Sequence, residues 1–446
     1  MNFKYKYCLL LFAFCCANTI YAQETKLLTL KDAVSLGLAN SKSLQLSKLK
    51  VAQAVSAYNQ AVDLALPTAN ASAIYNHAEI PNNTLQLGSG NPLNLPKSAD
   101  AFTGTLGVQE LIFAGNKLKY AKESTSILKN IADLGVDSAK EAVIVSIVAA
   151  YLHLYKISAS KEVINQDLLS LDQQYKQTQR FFEQGLVTKN DVLRVQLQKS
   201  NVELISLDLD KNQNIVNYNL NVLLGLPETT ILKTATLINI RNENPNFNNF
   251  LDSAILHRFE IKKMDYRVAL TDKNILATKA NVLPTFGVGF NAYFVNPSGS
   301  FIPPVNQFIT PITLGATLMW NISSLWNNKN KVAERVFIKQ EAVLHQSIFL
   351  DQLKREVNLN YQNYLQSLNS IKLLTTSIQQ ASENAQIVQS KYNNNIASIT
   401  DKLDADTQLF QSKINLEISK ADAELAYYNL LKSTGQILSN YSFLNQ

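Results

Sequence analysis

The chain has 446 residues, with 41 Lys and Arg against 35 Asp and Glu and a formal net charge of +6 at pH 7. That surplus is small and dispersed, which excludes the concentrated basic surface a nucleic-acid partner requires. Cys8, Cys15 and Cys16 are the only cysteines, so the chain beyond them can form no disulfide, thiolate zinc site or cysteine nucleophile.

Lys4 and Lys6 precede the apolar run CLLLFAFCCA, and Ile20-Tyr21-Ala22 resembles a signal-peptidase site. Residues 1–22 therefore read as a signal peptide. The run is too short to span a bilayer, and Phe14 before Cys15 does not suit lipid attachment. Without Lys4 and Lys6 the balance is 39 basic to 35 acidic residues, a net of +4. No later run of 18 consecutive apolar residues occurs, so no membrane-spanning helix is expected. Export then leaves the periplasm, the exterior or the outer membrane.

Proline placement divides the rest of the chain. All eleven prolines fall within 67–96, 227–245 and 284–311. Proline breaks a helix interior at a cost of about 3 kcal/mol or more, so the proline-free stretches 97–226 and 312–446 permit very long helices. One helix over 116–182 would run about 100 Å at a rise of about 1.5 Å per residue.

A first repeat is expected over 23–240. It opens on a helix and reaches a β-hairpin at 67–112, with strands over 68–80 and 101–112 and the loop NNTLQLGSGNPLNLPKSAD between them. Phe102, Leu106, Val108 and Glu110 share one strand face. Long helices come next, with Val195, Val202, Leu209, Val216 and Leu223 recurring every seven residues as in a coiled-coil seam.

The second repeat, 241–446, has the same order. Its hairpin is placed at 284–320. Phe286, Val288, Phe290, Ala292 and Phe294 alternate along one strand, and Phe308, Ile312, Leu314, Ala316, Leu318 and Trp320 along the other. Thr313, Gly315 and Thr317 occupy the opposite face. Leu409, Leu416, Ala423, Leu430 and Ile437 repeat every seven residues, with the small residues Ala405, Ser412, Ser419, Ala426 and Ser433 alongside.

The two halves also share a short stretch. GLVTKNDVLRVQ, residues 185–196, is answered by NIASITDKLDAD, residues 395–406. Gly185 matches Asn395, two types that tolerate a left-handed backbone, and Thr188 matches Ser398, two good helix N-caps. Asp191 matches Asp401, and the register continues without a gap to Gly225 and Gly435. Each stretch therefore reads as a turn between two long helices, with Thr188-x-x-Asp191 and Ser398-x-x-Asp401 as capping boxes.

Strands of ten to thirteen residues are close to the 9–11 that cross an outer membrane. Lipid tolerates no open sheet edge, and single-chain barrels begin at about eight strands. Four strands per chain therefore demand oligomerisation: two chains give a filled barrel, three a twelve-stranded one with a lumen.

With LTLKDAVSLGLANS, LPT before each hairpin, QELIFAGNKLKYA, RFFEQGLVTKNDVLRVQ and KYNNNIASITDKLDADTQLFQSK in this order, the chain resembles the TolC-type outer-membrane efflux proteins. The resemblance implies an α+β membrane protein in which a tandem-duplicated long α-helical barrel continues a twelve-stranded trimeric β-barrel. It implies a passive exit duct for efflux or type I secretion, lodged in outer-membrane lipid and extending into the periplasm. A homotrimer, a periplasmic adaptor and an inner-membrane transporter are the partners it implies. By the same resemblance Asp401 and Asp404 line a periplasmic gate as two acidic rings in the trimer. Gly185, Leu186, Thr188, Asp191, Asn395, Ile396 and Ser398 then form the helix-tip turns that meet the adaptor.

Some family members carry an arginine latch where this chain has Ala397; Lys189 and Lys402 are candidates to replace it. Arg194 stands at the position of Asp404 in the first copy and is expected to face a neighbouring helix. No metal, cofactor or enzyme constellation is expected, since His77, His153, His257 and His345 are scattered. A periplasmic coiled-coil adaptor or a structural rod is the alternative.

Overall fold

The computed structural model describes residues 25–86, 88–94, 96–235, 246–298, 308–394 and 396–439. The expected signal peptide, Asn395 and most of loop 297–307 lie outside the described residues.

The first half runs β1 (Thr25–Leu28), α1 (Leu30–Asn40), α2 (Lys42–Asp63), β2 (Thr68–Glu79), β3 (Thr84–Leu85), β4 (Leu93–Asn94), β5 (Ser98–Phe113), α3 (Lys117–Glu183) and α4 (Lys189–Leu224). The second runs β6 (Ile231–Thr234), α5 (Phe247–His257), α6 (Phe259–Lys279), β7 (Thr285–Ser298), β8 (Ile312–Met319), α7 (Ser324–Asn393) and α8 (Ile399–Ser433). The proline-free stretches thus hold helices of 67 and 70 residues, each about 100 Å long at ~1.5 Å per residue.

Two compact units result, one comprising Met1–Ser47, Gly135–Ile261 and Phe349–Gln446, the other Lys48–Leu134 and Lys262–Ile348. In the first, β1 pairs in parallel with β6. The main core joins Leu28, Ile144, Ile147, Val148, Leu152, Leu220, Leu224 and Ile437, each such burial stabilising by roughly 1.5–3 kcal/mol. Tyr151 fastens the small sheet to this core: its hydroxyl donates to the Leu28 carbonyl at 3.0 Å and accepts from the Ala235 amide at 3.1 Å. α3 does contain an 18-residue window of mean hydropathy 1.6, apolar enough to cross a bilayer. Its buried face, including Ile144, Ile147, Tyr151 and Leu154, is core instead.

The second unit is built on one antiparallel sheet in the order β2-β5-β7-β8. Directly paired residues share a face, so the register fixes both faces. One carries Ala69, Val108, Phe290 and Leu314 at one level and Ala71, Leu106, Ala292 and Ile312 at the next. The other carries Asn70, Gly107, Asn291 and Thr313, with Thr68, Gln109, Gly289 and Gly315 beside them.

Three features differ from the sequence expectation. β1 and β6 form a pair too short for periodicity to reveal. The loop after β2 contains the two-residue strands β3 and β4. Each leading helix is broken, at Ser41 and at Arg258, by one extended residue (ψ 112° and 122°); no proline or glycine stands at either break, and only Ser41, whose hydroxyl accepts from the Leu44 amide at 3.2 Å, gives a local capping signal.

Candidate functional site

At the end of α3, Gly185 is left-handed with φ +78°. The Gly185 amide donates to the Phe182 carbonyl and the Leu186 amide to the Phe181 carbonyl, both at 2.9 Å. This pair of bonds closes the helix C-terminus in a Schellman motif. Leu186, at the outer end of the motif, is left 55% exposed. The Ile396 amide donates to the Lys391 carbonyl at 2.8 Å in the equivalent place after α7, and Ile396 is 75% exposed. Each turn therefore presents one apolar knob.

Both following helices start on complete capping boxes. The Asp191 Oδ2 accepts from the Thr188 amide at 2.8 Å and the Thr188 hydroxyl at 2.7 Å. Asp401 accepts from the Ser398 amide and hydroxyl at 2.9 and 2.7 Å. The Ser398 hydroxyl and amide hold the Asp401 carboxyl below the usual carboxylate range. Capping therefore does not distinguish the copies, and it engages Asp401 as fully as Asp191. Asp404, one turn on, is exposed, and among the described residues its carboxylate has no side-chain bond. Arg194 is likewise exposed and makes no ion pair among the described residues.

Lys402 is paired within α8 rather than across helices. It is buried and bonds Asp406 on its own helix at 2.6 and 2.5 Å. Buried Asp167 of α3 stands near this pair; burial, then Asp406, pushes its carboxyl up to about 6. One stripe of α3 continues with buried Gln174 and Thr178, the latter 3.2 Å from the Tyr392 hydroxyl of α7. Sequence reasoning missed this polar seam. The i,i+4 spacing of Lys402 and Asp406 was its only signal.

The sheet supplies a second functional surface. All four charged or imidazole side chains of its strands, His77, Glu79, Asp100 and Glu110, fall on the apolar face, at its two ends. Asp100 and Glu110 are ten residues apart on β5. That is about 33 Å along a strand, or about 25 Å of height at a tilt of about 40°, the thickness of an outer-membrane apolar band. Tyr75 and Phe102 pair at one margin, where Phe102 meets Phe308 edge to face at 5.8 Å. Leu314, mid-band, is 84% exposed.

The sequence profile of the outer membrane efflux proteins matches residues 33–226 and 250–436. The chain belongs to the outer membrane efflux protein family. It is a channel of the outer membrane, and the family is one of ducts rather than enzymes. Among solved structures the chain is similar to the CmeC outer membrane channel of Campylobacter jejuni, with a TM-score of 0.77, 15% identity and 92% and 86% of the two chains covered. It is also similar to VceC of Vibrio cholerae (TM-score 0.74, 17% identity, 91% and 96% covered) and to the outer-membrane channel OprN (0.75, 13%, 91% and 90%). At these identities the likeness carries the fold. No curated protein matches.

Proposed function

We propose that three copies close into one duct that carries efflux or type I secretion cargo passively outward. The duct takes it from a periplasmic adaptor and an inner-membrane transporter. The four-stranded sheet carries this reading: its outer strands β2 and β8 have no further partner within the chain among the described residues, and its apolar face is about as tall as the membrane. Lipid does not tolerate such edges, so β8 of one copy pairs with β2 of the next, giving twelve strands. The two repeats, 23–240 and 241–446, contribute one hairpin each, joined through β5 and β7.

The helix tips face the adaptor, Leu186 and Ile396 giving six apolar knobs per trimer on turns shaped by Gly185 and by the caps Thr188 and Ser398. Asp404, with its carboxylate free of capping, narrows the periplasmic gate together with Asp401. No catalytic step is assigned to any of these residues. Detergent-corrected light scattering of the purified chain is expected to give a trimer. A monodisperse, folded monomer would overturn both the strand count and the duct.

A further inference from the structure

We propose that the barrel section of this duct is a charge-neutral passage, lined by carboxamides and hydroxyls, that admits polar cargo of either sign. The inference rests on the trimeric reading above. It starts from a segregation within the sheet: His77, Glu79, Asp100 and Glu110 all lie on the apolar face. On the opposite face no described strand residue is Asp, Glu, Lys, Arg or His.

Across that face Asn70, Gly107, Asn291 and Thr313 lie side by side on all four strands. Repeated three times, the tier becomes a belt of six carboxamides and three hydroxyls. Such groups donate and accept hydrogen bonds and carry no charge. Gly107 sets the belt's geometry. A Cβ there would stand 2.6 Å from the Asn70 Oδ1 and 2.7 Å from the Asn291 Oδ1, so the two carboxamides fold over the glycine rather than project from the wall. The neighbouring tier adds the small residues Gly289 and Gly315, which keeps the passage open. With ring charges absent, cargo is sorted here by size and hydrogen bonding, whereas rings of Asp or Lys would sort it by sign.

The test is thiol modification of a Thr313→Cys variant in outer-membrane vesicles. A cationic and an anionic methanethiosulfonate reagent are applied from outside, and their rate ratio is normalised to that with free 2-mercaptoethanol. A normalised ratio near one is expected. Asn291→Asp and Asn291→Lys, each combined with Thr313→Cys, calibrate the assay. Three like charges about 10 Å from the axis in ~0.1 M salt should move the ratio roughly fourfold, in opposite directions. Leu314→Cys, on the apolar face, should resist both reagents.

Reaction at Thr313→Cys with a parent ratio as biased as either calibrant would overturn neutrality and leave the duct standing. Protection of Thr313→Cys together with reaction at Leu314→Cys would instead overturn the inside-outside assignment, and the duct with it. Should the Asn291 variants fail to assemble, Thr317→Asp and Thr317→Lys, on the same face of the exposed strand β8, serve as calibrants.

Discussion

Replacing Glu141 by Gln should make the protein more stable at neutral pH. Glu141 is 3% exposed, on α3, and its Oε1 has no partner. The nearby cation is already engaged: Arg258 donates to Glu260 at 2.9 Å, to Glu356 at 3.2 Å and to the Lys432 carbonyl at 3.2 Å. Burial, then the Glu260 charge, pushes the Glu141 carboxyl up to about 7 against the pull of Arg258 and Lys432. Its unfolded value is 4.5. At ~1.36 kcal/mol per pKa unit, holding this group ionised in the fold costs about 3 kcal/mol per protomer. Because the folded value is raised, stability is full below pH about 4.5 and declines until pH about 7, then levels.

Glu141→Gln removes that decline, so the variant should be no more stable than the parent near pH 4.5 and more stable by up to about 3 kcal/mol at pH 8. Neighbouring Glu260 has the opposite sign. Burial opposes its ionisation, but Arg258 and the Ser138 hydroxyl hold its carboxyl below the ordinary range. Its contribution is therefore lost on the acid side and does not overlap the Glu141 window. Thermal unfolding in detergent, followed by helix circular dichroism from pH 4.5 to 8.5, reads the difference directly. Parallel profiles for parent and variant would refute the buried-acid argument.

Lys402→Met should cost about 3–5 kcal/mol by leaving Asp406 buried and unpaired, and Lys402→Met with Asp406→Leu should recover most of it; chemical unfolding decides, and equal losses in both would exclude the pair as the cause. Thr188→Ala and Ser398→Ala should each cost about 1 kcal/mol, Ser398→Ala somewhat more because the Asp401 amide reaches its hydroxyl at 3.1 Å against 3.4 Å for Asp191 and Thr188; no loss in thermal unfolding for either variant would remove these boxes as stabilising caps. Asp404→Asn should lower cation selectivity in planar bilayers with trimer stability nearly unchanged, and Asp191→Asn should not alter it; unchanged selectivity in Asp404→Asn would remove Asp404 from the gate. A cysteine at exposed Ser89 should label in intact cells, and protection of that site would contradict an outward-facing loop between β2 and β5.

The elements of this fold were legible because their signals are long. A proline-free stretch of more than a hundred residues has few folded outcomes, and the alternation over 312–319 overrides the weak propensities of its Gly and Thr, while Pro311 keeps the expected strand 308–320 from starting before Ile312. The capping residues Thr188 and Ser398 carried the helix boundaries to within a residue, because the side-chain oxygen that names them also makes the bond. Short features had no comparable signal. Arg258 breaks a helix by leaving it to bind Glu260, Glu356 and the end of α8, a tertiary reason that local composition does not contain. In the second strand of the first hairpin Glu110 interrupts the apolar face. In the sheet that glutamate stands level with Val288 and Ala316, at the margin of the band, where a charge belongs.

The buried polar seam near the tips shows where sequence reading reaches its physical limit. Lys402 and Asp406 lie one helical turn apart, and in a sequence such pairs mean a solvated face. The same spacing at a helix–helix contact becomes a desolvated ion pair with a different energy scale. Asp167 lies more than two hundred residues away, yet burial and then Asp406, neither visible in a local window, hold its proton to about 6. Heptads identify the seam along which helices meet, but not which charged side chains the meeting encloses. Asp404 makes the converse case: it differs from Asp401 only in lying one turn beyond the cap, which leaves its carboxylate exposed and unbonded. Position relative to a cap is readable in sequence, and burial by a distant helix is not. The acids proposed for the gate are named by the family resemblance of the sequence, whereas the buried acid Asp167 is visible only in the fold.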